Sequence, residues 1–332
     1  MKRTTIKDIA KLTSLSISTV SRALKNHPDI SQKTKDRVQE VAIALDYSPN
    51  LNAQHLRTKS SKLIGLILPE VNQFFFPAML DGVNKWVVEN GYSLLLMQSD
   101  RSYLKEKQMV DLCFQFAVDG LLISLSAETE NIEHLMKLKY ANIPVVLLDE
   151  VLENEHFPCL TIDDRATAFS ATEYLIENGH KDILGIFDLA ELNMTRFRIE
   201  GFVEALKYHG LPADRERIIT IPSNGDFEPQ IEALLKHYPK ATGIFAMSDV
   251  TMMNTYRVLT NGGWRIPEDK ALIAISDGQA PYYCYPNITH LCHSGYEVGV
   301  RATELLFEQI QRIQPYKHFT RITTKLVKLG SV

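Results

Sequence analysis

Residues 5–24 read T-I-K-D-I-A-K-L-T-S-L-S-I-S-T-V-S-R-A-L, and they decide how the chain begins. Ile6, Ile9 and Ala10 fall on one face of a first helical pattern, and Val20, Ala23 and Leu24 on one face of a second. Thr5, with Asp8 three residues on, is a start signal for the first helix, and Ser16 for the second. Only Thr13-Ser14-Leu15-Ser16 lies between them, too little for anything but a tight helix-turn-helix corner. Ser31 opens a third pattern carried by Val38, Val41, Ala42 and Leu45. Together these predict an all-α domain over residues 1–47.

A small three-helix bundle can also serve as a protein-interaction module, but the second helix argues for DNA. Its outward positions hold short hydroxyls and one arginine, Arg22. Hydroxyls and helix N-terminal amides suit phosphate oxygens, while arginine suits guanine edges or phosphates. Charge agrees. The whole chain of 332 residues has a net charge of −4, yet residues 1–60 carry 11 Lys/Arg against 5 Asp/Glu. A basic head therefore precedes an acidic body, and only the head is suited to a polyanion. Next comes Tyr47-Ser48-Pro49-Asn50 and a polar stretch whose apolar residues include Leu51, Ala53 and Leu56. Residues 48–61 read as a linker or as a marginal helix that folds only when docked.

From Leu63 the pattern becomes short apolar runs alternating with amphipathic helices. The runs are 63–68, 93–97, 120–124, 144–148, 183–187, 217–221, 242–247 and 271–275. Such runs indicate parallel sheets covered on both faces. Asn90-Gly91, Asn178-Gly179, His209-Gly210 and Asn261-Gly262 read as helix stops before four of them. Residues 62–332 suit two doubly wound lobes better than one sheet, and ligands then bind beyond the strands' carboxyl ends, between the lobes. That rule selects Glu70 to Phe76, Gln98 to Asp100, Ser124, Asp149, Asp188 to Asn193, Ser248, Asp249, Ser276 and Asp277. Aromatics mixed with carboxylates, amides and hydroxyls suit a polyhydroxylated ligand. A phosphate-binding glycine loop of either common kind is absent from the sequence.

Other classes are weakly supported. No run approaches the roughly 20 apolar residues of a membrane-spanning helix, and the N-terminus lacks the apolar region of a secretory signal, so a cytoplasmic protein is expected. Cys113, Cys159, Cys284 and Cys292 form no C-x-x-C pair and read as reduced thiols. His290, Cys292 and His293 are a weak zinc signal without a fourth ligand, so neither a metal nor a cofactor is expected. No nucleophile elbow, nucleotide loop or defined acid–base pair points to catalysis.

The motifs T-I-K-D-I-A, S-x-S-T-V-S-R-A-L, Y-S-P-N and A-Q-H-L-R before an I-G-L-I strand together resemble the LacI/GalR family of transcriptional regulators, and the likeness runs through the whole chain. It implies a helix-turn-helix domain joined by a hinge helix to a periplasmic-binding-protein-like domain. The implied lobes are 62–161 with 292–321, and 162–291 with 322–332. It implies a homodimer on double-stranded operator DNA, in the cytoplasm and at the nucleoid when bound. By position, Ile17, Ser18 and Arg22 would read bases, and Thr5, Ser16, Thr19, Ser21, Ser31 and Asn50 would contact phosphates. Ala53 and Leu56 would reach the minor groove, with Leu56 as its wedge. Ile17 could instead pack in the core, and Leu56 could instead pack between domains.

In the body, the resemblance makes Arg198 of R-I-E-G-F and Asp249 of A-M-S-D effector contacts, with Phe74, Phe75 and Phe76 on an aromatic loop after the first strand. Asp149 and Asp277 complete the expected set. Three successive phenylalanines are expected to leave at least one in the core, and Arg198 could instead pair with a surface acid such as Glu200. Asp163 and Asp164 could cap the helix that follows them. Three departures from the family pattern stand out. Ser14 replaces a usual glycine, A-I-S-D replaces G-F-D-D, and Asp188-Leu189-Ala190 stands where a Gly-Pro ending is usual. The implied effector is a small molecule, a sugar first and a purine second, with a partner protein or a transport solute-binding role as alternatives.

Overall fold

Thr5 is extended (φ −114°), and its N–H and hydroxyl donate to Asp8 Oδ2 at 2.8 and 2.7 Å, which starts α1 (Ile6–Thr13). Ser16 Oγ accepts the Thr19 N–H at 3.1 Å and opens α2 (Ile17–Leu24). Ser31 Oγ accepts the Thr34 N–H at 3.3 Å and opens α3 (Gln32–Ala44). Ile9, Val20, Ala23 and Val38 are fully buried where the three helices meet, with Leu15, Leu45 and Tyr47 packed around them. Ser14 sits at φ 55°, the left-handed conformation glycine tolerates best, so the corner costs about 1 kcal/mol more than glycine would there.

The computed structural model describes residues 4–47, 60–72, 74–188, 190–221, 225–312 and 318–332. The chain divides into two units, Met1–Ser61 and Lys62–Val332. Asn50, Ala53 and Leu56 lie outside the described residues.

The second unit holds two sheets. The first contains β1 (Leu63–Leu68), β2 (Ser93–Gln98), β3 (Gly120–Ile123), β4 (Val145–Leu148), β5 (Cys159–Ile162) and β11 (Phe319–Ile322). The second contains β6 (Ile183–Asp188), β7 (Ile218–Ile221), β8 (Gly243–Ala246), β9 (Ala271–Ser276), β10 (Thr289–Cys292) and β12 (Lys325–Val327). Their orders are β11-β5-β4-β3-β1-β2 and β12-β10-β9-β8-β6-β7, the same arrangement built twice. Pairing is parallel apart from β10 with β12, which runs antiparallel. The eight apolar runs all fall on strands. Those of β1, β3, β4 and β9 are almost wholly buried, but β2 lies at an edge and leaves Leu96 partly exposed. Burial on both faces therefore does not extend to every strand.

Helices cover the sheets: α4 (Phe75–Glu89), α5 (Tyr103–Gln115), α6 (Met136–Tyr140) and α11 (Gly295–Ile310) on the first, and α7 (Asp164–Glu177), α8 (Asn193–Tyr208), α9 (Phe227–His237) and α10 (Asp249–Asn261) on the second. Two helix pairs cross at backbone contact. A Cβ on Gly82 of α4 would strike the Tyr296 carbonyl of α11, and Cβ atoms on Gly295 and Gly299 would strike the Phe75 and Met79 carbonyls. In the second lobe, Gly201 of α8 lies equally close to the Arg165 carbonyl of α7. Gly91, Gly179 and Gly210 have positive φ, as helix stops should. At the fourth stop the left-handed residue is Gly263 (φ 77°), and Gly262 still has a helical φ of −77°. The helix runs one residue further than the Asn-Gly pair implies, because the following Gly supplies the turn.

The chain passes between lobes at 163, around 293 and at 323–324. Three crossings put the carboxyl ends of both sheets on either side of one cleft.

Candidate functional site

On the head, Ile17, Ser18 and Arg22 are all exposed along α2. Ile17 is 47% exposed and takes no part in the buried cluster of the three helices, so the packing alternative fails for it. The helical phase explains this: Val20, Ala23 and Leu24 point inward, and Ile17 falls to the edge of that face. Ser16 Oγ lies 2.8 Å from both Ser18 Oγ and Thr19 Oγ1. Thr5, Ser16 and Ser31 are exposed, while Thr19 and Ser21 are half-buried. Ser16 and Ser31 both cap helices, so each also presents an N-terminal turn with outward amides.

In the second unit, the cleft between the lobes encloses about 800 Å³ of empty space counting its open mouth. It gathers Phe74, Phe75, Phe76, Asp149, Arg198, Asp249 and Asp277, together with Arg101, Glu150, Asp188, Met247, Ser248, Ser276 and His293. All three phenylalanines border it. Phe74 lies at the end of the loop after β1, whereas Phe75 and Phe76 form the first turn of α4. Phe76 is buried and also belongs to the core, so its ring serves as the cleft floor. Phe75 packs against His293, ring centroids 4.5 Å apart.

Arg198 is only 4% exposed. Its Nε donates to Asp164 Oδ1 at 2.7 Å and its Nη1 to the Met247 carbonyl at 2.7 Å. It pairs with neither Glu200 nor another surface acid. Asp163 and Asp164 divide the two roles that the sequence leaves open. Asp163 Oδ1 accepts the Ala166 N–H at 3.0 Å and caps α7, whereas Asp164 holds the arginine. Asp249 accepts from Ser276 Oγ at 2.5 Å and from the Asp277 N–H at 3.1 Å. Asp188 accepts from Ser248 Oγ at 2.9 Å. Ser276 and Asp277, the departure from the family pattern, thus both act on Asp249, and Asp277 itself faces the cleft.

Sequence reasoning missed Arg101, Glu150, Met247 and His293 as cleft residues. Arg101 is ion-paired with Glu70. Glu150 Oε1 accepts the Asn193 N–H at 3.0 Å, at the start of α8. Its partner lies 43 residues away, which no local pattern reveals. Glu106 acts one step back. It accepts from the Ser126 N–H and from Thr129 Oγ1, at 2.5 and 3.0 Å, and holds the loop bearing Leu125 and Ala127 against the cleft.

Burial dominates the electrostatics. It raises Asp149 to about 7, with the adjacent Glu150 adding to the effect, and raises Glu150 itself to about 7. Burial raises Asp249 to about 6 despite the Ser276 hydrogen bond, and it lifts Asp188 and Asp164 as well. Burial, and then Arg198, lowers His293 to about 3, so its ring is neutral. The folded state holds the protons of Asp149, Glu150 and Asp249 more tightly than the unfolded chain does. Their contribution is fully present below pH ~4 and is withdrawn as pH rises through 6 to 7. Thermal unfolding is therefore expected at a higher temperature at pH 6 than at pH 8, with a smaller difference in Asp149→Asn. A wild-type difference of opposite sign contradicts this.

A family model described as bacterial regulatory proteins, lacI family, matches residues 5–50, and one described as periplasmic binding proteins and sugar binding domain of LacI family matches residues 61–325. The chain belongs to the LacI family. The HTH-type transcriptional repressor CytR of Escherichia coli (strain K12) is 30% identical over 314 residues, 92% of this chain and 90% of that protein. Two solved structures share the fold. The Lac repressor dimer bound to operator and the anti-inducer ONPF has a TM-score of 0.86 at 21% identity, covering 99% of each chain. The transcriptional regulator CelR–cellobiose complex has a TM-score of 0.73 at 24% identity, covering 99% of this chain and all of the other. This LacI-family member is a ligand-responsive, DNA-binding transcriptional regulator and not an enzyme. Among the described residues no helix is long and apolar enough to cross a membrane.

Proposed function

We propose that this LacI-family protein is a homodimeric repressor whose operator affinity is set by a sugar bound between the lobes. The observation that carries the reading is the buried Arg198, locked by Asp164 and the Met247 carbonyl beside an aromatic wall in a cleft lined from both lobes. A ring can stack its apolar face on Phe74 or Phe75 while its hydroxyls meet carboxylates and the guanidinium. A ligand touching both lobes favours one degree of closure over another, and that differential contact is what shifts an equilibrium. Operator and ligand then change each other's affinity by the same factor, whichever sign the coupling takes. Sugar recognition would use Phe74, Phe75, Phe76, Asp149, Arg198, Asp249 and Asp277.

On DNA, Ile17, Ser18 and Arg22 would read base edges from the major groove. Thr5, Ser16, Thr19, Ser21, Ser31 and Asn50 would fix the head on the phosphates, and Ala53 and Leu56 would enter the minor groove from the hinge. The protein would act in the cytoplasm, at the nucleoid when bound to DNA. Footprinting of sites selected from genomic DNA is expected to give a two-fold symmetric site with both halves protected, altered by an added sugar. A single half-site at saturation removes the dimer, and no response across a sugar library removes the effector reading. Arg22→Ala is expected to cost about 1–3 kcal/mol of operator binding at one base position, with unchanged thermal unfolding. Equal loss on operator and random DNA would make Arg22 a phosphate contact instead.

A further inference from the structure

Acidic groups outnumber basic ones in the cleft, and a bound cation would draw the acids that burial holds protonated into their charged form. Asp149 and Glu150 face it from the first lobe, and Asp188, Asp249 and Asp277 from the second. It contains two guanidinium groups, and each already has a carboxylate partner: Arg101 with Glu70, and Arg198 with Asp164. His293 adds no charge, since its buried ring is neutral.

Two of the helix starts at the cleft that would draw an anion are occupied too. The start of α8 already donates to Glu150 Oε1, and α10 begins with Ser248 as its cap and Asp249 in its first turn. A phosphorylated or carboxylated ligand would thus meet carboxylates where it needs donors.

Two acceptors are left over. Glu150 Oε2 and Asp277 Oδ2 are buried and have no hydrogen-bond partner, and their residues are 7% and 9% exposed. One lies on each lobe, and both residues line the cleft. Buried acceptors without partners are costly, so a ligand that donates to them gains strongly. A hydroxyl donates one hydrogen and no charge. An ammonium donates three and carries the positive charge that this wall lacks.

We propose that the effector carries a primary ammonium group on its ring, an amino sugar rather than a plain or phosphorylated one. The inference rests on the sugar reading above and deepens it. It also supplies a reason for closure. Bringing the lobes together sets the carboxylates of one against those of the other, and a cation between them turns that repulsion into attraction. The aromatic wall helps, because phenylalanine faces attract a nearby ammonium as well as a ring's apolar face.

The test is titration calorimetry on the full chain with matched series in the gluco, galacto and manno configurations. Each series compares the 2-amino sugar with its parent hexose, its N-acetyl form and the hexose 6-phosphate. In one series the amino sugar is expected to bind at least about tenfold tighter than the hexose and the N-acetyl form, with the 6-phosphate weakest. Glu150→Gln and Asp277→Asn, checked for normal thermal unfolding, are expected to erase most of that preference, the amino sugar losing far more affinity than the parent hexose. If the hexose, N-acetyl form or 6-phosphate matches or exceeds the amino sugar in every series that responds, the ammonium assignment falls and the sugar reading stands. If both variants keep the full preference, the assignment falls as well. If no series responds, both fall.

Discussion

Arg198→Ala is expected to abolish the response of operator binding to ligand and to destabilise the sensor by about 3–5 kcal/mol. Both effects follow from one geometry. The guanidinium is buried, neutralises Asp164 across a 2.7 Å contact and satisfies the Met247 carbonyl. Alanine leaves a buried carboxylate without its counter-charge and an acceptor without its donor, and it opens a hole in the cleft wall. Asp164→Asn combined with Arg198→Ala separates the two roles. Removing the stranded charge should restore part of the lost stability, visible as a partial recovery of the melting temperature. The ligand response should stay absent, because the group facing the cleft is still gone. A double variant that regains the response would show that Arg198 only supports the fold. Arg198→Lys is not a mild change here, since an ammonium cannot reproduce the planar fork that meets two acceptors at once.

Gly299→Val is expected to cost about 3 kcal/mol and to weaken ligand binding at the same time. A Cβ there meets the Met79 carbonyl of α4, which is backbone and cannot swing aside. The helices must separate, and α4 carries Phe75 and Phe76 in its first turn, so the aromatic wall moves with it. Chemical unfolding measures the first effect and calorimetric titration the second. Unfolding within about 0.5 kcal/mol of wild type would mean that the crossing is slack.

The fold was legible because its signals are local. Cap residues, apolar faces and strand runs each need only a few neighbours to be read, and Ser16, Ser31 and the run at 63–68 stand where such rules put them. The rule that places ligands beyond strand ends brought Asp149, Asp249 and Asp277 to the cleft without any view of the packing. Long-range pairing was not legible. The division of labour between Asp163 and Asp164 depends on Arg198, a distant residue on another helix, and Glu150 is positioned by the start of α8. His293 was visible only as a weak metal ligand, because burial against Phe75, not sequence, makes it a neutral part of the wall. The phenylalanine triplet divides as its spacing implies: Phe76 is buried in the core, although all three rings border the cleft.

Both sheets are finished by the end of the chain, with β11 on an edge of one and β12 on an edge of the other. In chain order the helices of the head therefore precede the sensor, and each sheet gains an edge strand only after its other strands are made. Release of a truncated product would yield a head without a sensor. A head released without the sensor would act as a single copy, and one copy grips DNA less than the linked pair of the proposed dimer.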